Sequence, residues 1–186
     1  MNKHIISLAG DIASGKGTVS KILAEKLNYT IYRNGEYFRK LAGQMNMSVK
    51  DFNIYVESHP NIDLQIEQSA KEYAEENDNL LIDARLGWYA VPHSFKIYLK
   101  VDLNVAANRV MNDNTRGNVE SYTSLEQAKK EIAERFKLEN ERYHKLYNVR
   151  KDDMNNYDLV IDTTSLTPDE VTNIIYTKYN KWLKNI

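Results

Sequence analysis

Ile5-Ile6-Ser7-Leu8-Ala9-Gly10-Asp11-Ile12-Ala13-Ser14-Gly15-Lys16-Gly17-Thr18 opens as an apolar run, breaks at a glycine and passes into a helical pattern. His4 to Ala9 reads as a short buried strand. From about Lys16 to Leu27 the apolar residues Val19, Ile22, Leu23 and Leu27 fall on one helical face. A glycine-rich turn between a strand and a helix start is the setting of a phosphate cradle. Successive backbone N–H groups point at the anion, the helix N-terminus adds partial positive charge, and a lysine neutralises the outer phosphates. Gly10, Asp11, Ile12, Ala13, Ser14, Gly15, Lys16, Gly17 and Thr18 are therefore the candidate nucleotide-binding residues. The strict form of the loop places Ser or Thr directly after the lysine; here Gly17 intervenes and Thr18 follows.

Outward from that stretch, short apolar runs alternate with helical patterns. Helices are expected over about Glu36 to Met45, Val49 to Glu57 and Ile62 to Glu75, with Ser48 and Asp51 resembling a capping box. Asn79 to Asp83 and Phe95 to Val101 read as buried strands, and Leu103 to about Met111 as a helix. Asn112 to Tyr122, polar and containing Gly117, reads as a loop. Leu125 to Tyr147 is a long helix with Ile132, Phe136, Tyr143 and Tyr147 along one side. Tyr157 to Asp162 is a further strand. Thr167-Pro168-Asp169-Glu170 opens the last helix with an N-cap threonine, a proline at the first position and a glutamate at the third. Val171, Ile174, Ile175, Tyr179 and Trp182 are its expected core face. This alternation implies an α/β fold with a mostly parallel sheet, whose ligands sit beyond the C-terminal strand ends. Gly10, Asp83 and Val101 lie at or next to such ends.

Composition narrows the partners. The chain has 186 residues, with Lys and Arg totalling 25 against 26 Asp and Glu, a net charge of −1. A near-neutral chain has no bulk electrostatic attraction for nucleic acid polymers or anionic membranes. Seven glycines and three prolines give little support for a flexible interdomain hinge, so one domain over 1–186 is expected. There is no cysteine, which excludes disulfides, thiolate-held metals and thiol nucleophiles. His4, His59, His93 and His144 show no metal-ligand spacing. No apolar run reaches membrane-spanning length, and the expected setting is the cytoplasm, as a monomer or weak homodimer.

Gly15-Lys16-Gly17-Thr18 is the form carried by nucleoside monophosphate kinases, and the rest of the chain resembles one group of them. Gly-Lys-Gly-Thr-Val-Ser-Lys-Ile-Leu-Ala-Glu-Lys-Leu at 15–27, Gly-Glu-Tyr-Phe-Arg at 35–39 and Met-Ser-Val-Lys-Asp-Phe at 47–52 come in order. They are followed by Arg-Leu-Gly-Trp at 85–88, Glu-Arg-Tyr-His-Lys-Leu-Tyr at 141–147 and Tyr-Asp-Leu-Val-Ile-Asp-Thr at 157–163. From about Ile5 to Val171 the chain is similar to the archaeal-type cytidylate kinases. The resemblance implies a P-loop kinase fold with a five-stranded parallel core, a helical monophosphate-binding insertion at about 33–75 and a lid at about 112–122. It implies transfer from ATP to CMP or dCMP with Mg²⁺.

Phosphoryl transfer between two polyanions depends on charge neutralisation and in-line placement, and arginine suits it because its fork matches phosphate oxygens. By resemblance, Arg39 contacts the acceptor phosphate. Arg85 stands just beyond the second strand at the mouth of the site. Arg135, Glu139 and Arg142, spaced i, i+4, i+7, share one helix face; in the wider group an Arg-x-x-x-Asp-x-x-Arg pattern reaches the acceptor and the transferring phosphate, and Glu139 takes the place of the Asp. Lys16, Arg85, Arg135 and Arg142 are the catalytic candidates, with Arg39, Arg85, Arg135 and Glu139 on the acceptor. Asp83, through water, and Thr18 are the Mg²⁺ candidates, and Arg109 matches an arginine that lies against adenine. Each also has a plain structural reading: a solvated helix residue for Arg39, a surface ion-pair ladder for 135–142, a turn residue for Asp83, a helix C-terminal partner for Arg109.

Two features stand apart from the pattern. The family's lid arginine, four residues after the Arg109 position, is Asp113 here, with Arg116 nearby, and the glycine expected before Arg85 is Ala84. Trp88 and Tyr89 are candidates for base stacking, and Asp63 and Glu67, one helical turn apart, for ribose or base contacts. Two rivals remain at this point: a P-loop kinase for another small molecule, and a nucleotide-binding regulatory protein of low activity. No Asn-Lys-x-Asp base reader or Asp-x-x-Gly switch of a GTPase is present.

Overall fold

The computed structural model describes residues 4–47, 51–52, 55–56, 58–112 and 122–185. Its first strand, β1 (Ile5–Gly10), lies at the centre of a sheet. The others are β2 (Thr30–Arg33), β3 (Leu80–Asp83), β4 (Phe95–Lys100) and β5 (Leu159–Asp162). All pairs are parallel, in the order β2-β3-β1-β4-β5. Near-continuous apolar strands are what a sheet covered on both faces requires, and Ile5, Ile6, Leu8, Leu80, Leu81, Ile82, Ile97 and Leu99 are all fully buried. The register sets Leu8 beside Asp83 and Gly10 beside Leu99, so the phosphate-loop glycine and Asp83 emerge at the same edge.

The covering helices are α1 (Lys16–Leu27), α2 (Asn34–Gln44), α3 (Pro60–Glu76), a single turn α4 (Gly87–Ala90), α5 (Leu103–Met111), α6 (Leu125–Tyr147) and α7 (Pro168–Leu183). Side chains alternate across a strand. Ile6 and Leu8 thus meet Val19 and Leu23 of α1 and Val171, Ile175 and Tyr179 of α7. Ile5 joins Ala74 of α3, while Ala9 joins Trp88 and Tyr143 on the opposite face. Between β2 and β3, Ala42, Phe52, Val56, Ile62 and Ile66 form a separate cluster inside the helical insertion.

Several boundaries differ from the sequence reading. β2 was not expected from the alternation of patterns, because Thr30 is exposed and Ile31, Tyr32 and Arg33 are only half-buried on the sheet's edge. The turn α4 is too short to carry a period. α3 starts earlier than Ile62 because Pro60 begins it, a position where the missing proline N–H costs nothing. β5 starts at Leu159, after a 3₁₀ turn at Met154–Asn156. The capping box at Thr167 is present in full, Glu170 returning to the Thr167 N–H, but Ile174 is exposed. Residues 51, 52, 55 and 56 are helical; the remainder of the expected 49–57 helix and Ser48 lie outside the described residues. So does the expected lid, with Asp113, Arg116 and Gly117, apart from Asn112 and Tyr122. Among the described residues, no helix is long and apolar enough to cross a membrane.

Candidate active site

The loop after β1 is shaped by its main chain. Ala13 and Gly15 adopt φ of 61° and 83°, the left-handed region. Alanine reaches it at a cost that glycine avoids. A Cβ on Gly10 would lie 2.7 Å from the Leu99 carbonyl oxygen and 2.9 Å from Ser14 Oγ, so the close approach of the loop to β4 requires glycine there. Around Gly17, by contrast, there is open space. Asp11 departs from its expected role. Its N–H donates to Leu99 O (2.9 Å), and its carboxylate accepts from Tyr98 Oη (2.5 Å) and Val101 N–H (3.0 Å). Both of its polar groups therefore pin the loop to β4 and face the protein. The N–H groups of Ile12, Ala13, Gly15, Lys16 and Gly17 find no protein acceptor among the described residues. The buried Ser14 hydroxyl likewise has no hydrogen-bond partner. Unpaired buried donors are costly unless a ligand takes them.

Lys16 Nζ is ion-paired with Asp83 at the end of β3. Ser20, one turn into α1, donates to Gly17 O at 3.0 Å and lies 3.5 Å from the second Asp83 oxygen. Lys16, Ser20 and Asp83 thus converge beneath the loop; Ser20 is buried and was not singled out in the sequence. Thr18 is exposed on the first turn of α1. The hydroxyls of Thr18 and Ser20 and the Asp83 carboxylate are oxygen donors of the type a hard divalent cation that keeps several waters takes, although among the described residues no cluster of three or more His, Asp or Glu could hold one unaided.

Arg109, on α5, bridges two loops. It donates to Ala13 O (3.1 Å) and Thr163 O (2.9 Å). Beside it is a cavity of about 230 Å³ lined by Ser14, Gly15, Val19, Arg109, Leu166 and Pro168, among others. A guanidinium lining a cavity with aliphatic residues next to the phosphate loop can flank a planar ring.

The second half of the site is a charge cluster on α6. Glu139 is 7% exposed. Its Oε1 meets Arg85 Nε at 3.0 Å and Arg135 Nε at 3.2 Å, while its Oε2 accepts from Lys151 Nζ at 2.5 Å. Burial pushes the Glu139 carboxyl up, but Arg85, Lys151 and Arg135 together outweigh it and hold the group at about 2. Three cations on one carboxylate leave an excess of positive charge suited to a dianion. Arg85 and Arg135 remain 38% and 43% exposed, whereas Lys151 is 2% exposed. Lys151 was also missed. It lies in a polar turn between α6 and β5, with no periodic pattern to mark it as buried.

Arg142 shares the helix face with Arg135 and Glu139 but points to the insertion, 3.4 Å from Asp63 Oδ2 on α3. Next to that pair, Glu67 accepts from Asn34 Nδ2 at 3.2 Å, and its other oxygen is buried without a partner. Burial, aided by the neighbouring charge of Asp63, pushes Glu67 up to about 7. Asn34 Oδ1 and Tyr147 Oη are also buried and have no hydrogen-bond partner among the described residues. Asp63 and Glu67 are therefore not the solvated acidic face that their spacing also allowed. Arg39 stands exposed on α2, with no hydrogen bond or ion pair among the described residues. Trp88, 8% exposed, packs against Tyr98, Tyr143 and Tyr157, a core position unsuited to base stacking. Tyr89 is exposed and rests on Tyr147, ring centroids 5.3 Å apart.

A profile of the cytidylate kinase-like family matches residues 5–165. The chain belongs to the cytidylate kinase-like family. A cytidylate kinase of Thermoplasma acidophilum is 37% identical over 170 residues, covering 89% of this chain and 87% of the relative. One of Methanocella arvoryzae is 37% identical over 172 residues, covering 92% and 94%. Among solved structures, shikimate kinase from Bacteroides thetaiotaomicron superposes with a TM-score of 0.61 at 14% identity, covering 97% of this chain and 98% of that one; at that identity the likeness speaks for the fold alone. The matched stretch contains both halves of the site, from Gly10 to Lys151.

Proposed function

We propose that this member of the cytidylate kinase-like family works as one kinase domain over 1–186, with its monophosphate-binding insertion at about 33–75. It transfers the terminal phosphoryl group of ATP to CMP or dCMP. An acceptor phosphate oxygen attacks the γ-phosphorus, the bond to the β–γ bridging oxygen breaks, and ADP leaves. The observation that carries this reading is the match of residues 5–165 to the family, alongside relatives named cytidylate kinase at 37% identity.

In this reading the N–H groups of the phosphate loop, with Ser14 and Lys16, hold the triphosphate, and Lys16 exchanges Asp83 for the phosphates as the nucleotide enters. Asp11 acts only as the tether of that loop. Arg109 and the cavity beside it take the adenine. Mg²⁺, when bound, neutralises and orients the triphosphate; Thr18 and Asp83, the latter through water, are the residues that would hold it. Arg85 and Arg135, oriented by Glu139, take the acceptor phosphate with Arg39 from the insertion, and Arg142 completes the arginine set. Asp63, buried against Arg142, and Glu67, with one buried oxygen that accepts no hydrogen bond among the described residues, are the insertion's candidates for the acceptor's sugar or base. The setting this implies is cytoplasmic, with free nucleotides as partners and the chain a monomer or weak homodimer.

A coupled ADP-release assay across CMP, dCMP, UMP, AMP and GMP tests the reading. CMP and dCMP are expected to lead. Turnover confined to a purine monophosphate, or absent with all five, would remove it.

A further inference from the structure

We propose that Lys151 is a positioning residue for phosphate capture: by occupying one oxygen of Glu139, it prevents Arg85 and Arg135 from closing onto that carboxylate with their full forks. The inference rests on the reading that these arginines receive the acceptor phosphate.

The geometry divides Glu139 in two. Oε2 belongs to Lys151, and Oε1 is shared by the Nε atoms of Arg85 and Arg135. A guanidinium facing a carboxylate with both oxygens available settles into two parallel hydrogen bonds. That arrangement spends a terminal nitrogen that would otherwise serve phosphate. With Oε2 occupied, each arginine meets Glu139 through Nε at the remaining oxygen, and the partial exposure of both side chains leaves room for an entering anion.

Lys151 is built to stay in place. Its N–H donates to Asn140 Oδ1 (3.0 Å), and its carbonyl accepts from the buried Tyr157 hydroxyl (2.8 Å). Its ammonium also lies 4.5 Å from the Phe136 ring centroid, and the side chain is 2% exposed. A cation so enclosed cannot reach an incoming phosphate itself; it acts through Glu139. It also leaves Glu139 with a partner when the arginines shift toward the acceptor, and a buried carboxylate stripped of every partner would be strongly unfavourable.

The test is steady-state kinetics with CMP and ATP varied separately on wild type, Lys151→Met, Lys151→Arg, Glu139→Gln and the Glu139→Gln/Lys151→Met double variant, each checked by thermal melting. Lys151→Met should raise the KM for CMP about tenfold, the scale of one charge-assisted contact, with the KM for ATP within twofold. Lys151→Arg, which can still fill Oε2, should recover most of the loss. In the Glu139→Gln background, removal of Lys151 should change the CMP KM by less than about twofold, because no carboxylate is left to compete. That pair decides the matter even if Lys151→Met alone fails to fold. An unchanged CMP KM in folded Lys151→Met overturns the proposal. So does an equal rise in both KM values, or a rise of about tenfold when Lys151 is removed from the Glu139→Gln variant. Wild type that turns over CMP while any of these occurs removes only the role of Lys151; wild type inert toward CMP removes the acceptor reading and this proposal together.

Discussion

The proposed donor end is built largely from main-chain N–H groups, with Ser14, Lys16 and Arg109 beside them; the proposed acceptor end is built from side chains drawn from distant elements. The phosphate loop is fixed by left-handed Ala13 and Gly15, the close contact of Gly10 with β4, and the Asp11 tether. The acceptor end assembles Arg85 after β3, Arg135, Glu139 and Arg142 on α6, Lys151 beyond it, and Asn34, Asp63 and Glu67 from the insertion. That end holds several buried polar atoms without partners. Backbone-built sites are preorganised by local conformation. Side-chain sites are held by mutual charge, and they stay costly until a ligand completes them.

The largest expected effect attacks the donor end through Lys16. Lys16→Ala should lower kcat/KM by roughly 30- to 1000-fold, the range for a lost charge-stabilising donor of about 2–4 kcal/mol. Its pair with Asp83 is partly exposed, so the nucleotide-free melting temperature should move little. Purified Lys16→Ala with near-normal turnover would show that the backbone N–H groups suffice, and would remove the lysine from the mechanism.

The two ends also differ in how much of them could be read from the sequence. β1, the loop and α1 form one contiguous stretch whose glycine spacing and helical period state the geometry directly. α7 was equally plain, since Thr167, Pro168 and Glu170 act locally. Arg85 was singled out by its place after a strand and Arg135 and Arg142 by helical spacing, their acceptor role being what the resemblance implies, but the partition of Glu139 between Arg85, Arg135 and Lys151 was not legible. It depends on a lysine twelve residues away that looks solvated in a polar turn. Asp11 was misread for the mirror-image reason: it sits inside the motif, yet its partners, Tyr98 and Val101, come from β4 and the residue just after it. Edge strand β2 escaped because half-buried positions leave no apolar run. Trp88 looked like a stacking residue beside Arg85 until α6 and the 3₁₀ turn enclosed it.

A second measurement asks whether the acceptor end is costly without ligand. Glu67 is raised from 4.5 to about 7, by burial first and the charge of Asp63 second. Well below pH 4.5 the carboxyl is protonated in both states. As pH rises from 4.5 to 7, the unfolded chain releases its proton while the folded one retains it, so stability falls across that window. The loss is on the order of 3 kcal/mol at about 1.36 kcal/mol per unit. Glu139 acts in a separate window and with the opposite sign. Held at about 2, it contributes stability above its ordinary range that is lost as pH falls toward 2. Urea unfolding at about pH 5 and about pH 7 should show wild type losing stability over this interval and Glu67→Gln losing much less. Equal pH dependence in the two would mean that the unpaired Glu67 oxygen is satisfied in solution.

The sharpest form of the comparison lies within the donor loop, between two glycines. At Gly10 a Cβ would meet the Leu99 carbonyl oxygen at 2.7 Å, a backbone atom that cannot turn aside without disturbing β4. Gly10→Ala should therefore cost about 1–3 kcal/mol, the range for overpacking, read as a lowered melting temperature without nucleotide. At Gly17 a Cβ meets nothing within 4 Å, and the residue lies in the first turn of α1 outside the left-handed region. Gly17→Ala should leave stability unchanged or raise it by about 0.4–1 kcal/mol, through the smaller entropy of the unfolded chain. If protein geometry alone set this glycine, the substitution would then be harmless in every assay. If the open space is the place the phosphates approach, Gly17→Ala should keep its melting temperature and still weaken ATP binding, measured by calorimetry, several-fold. A destabilised Gly17→Ala would break the contrast, because the loop would then be no more preformed at its helix end than the arginine cluster opposite.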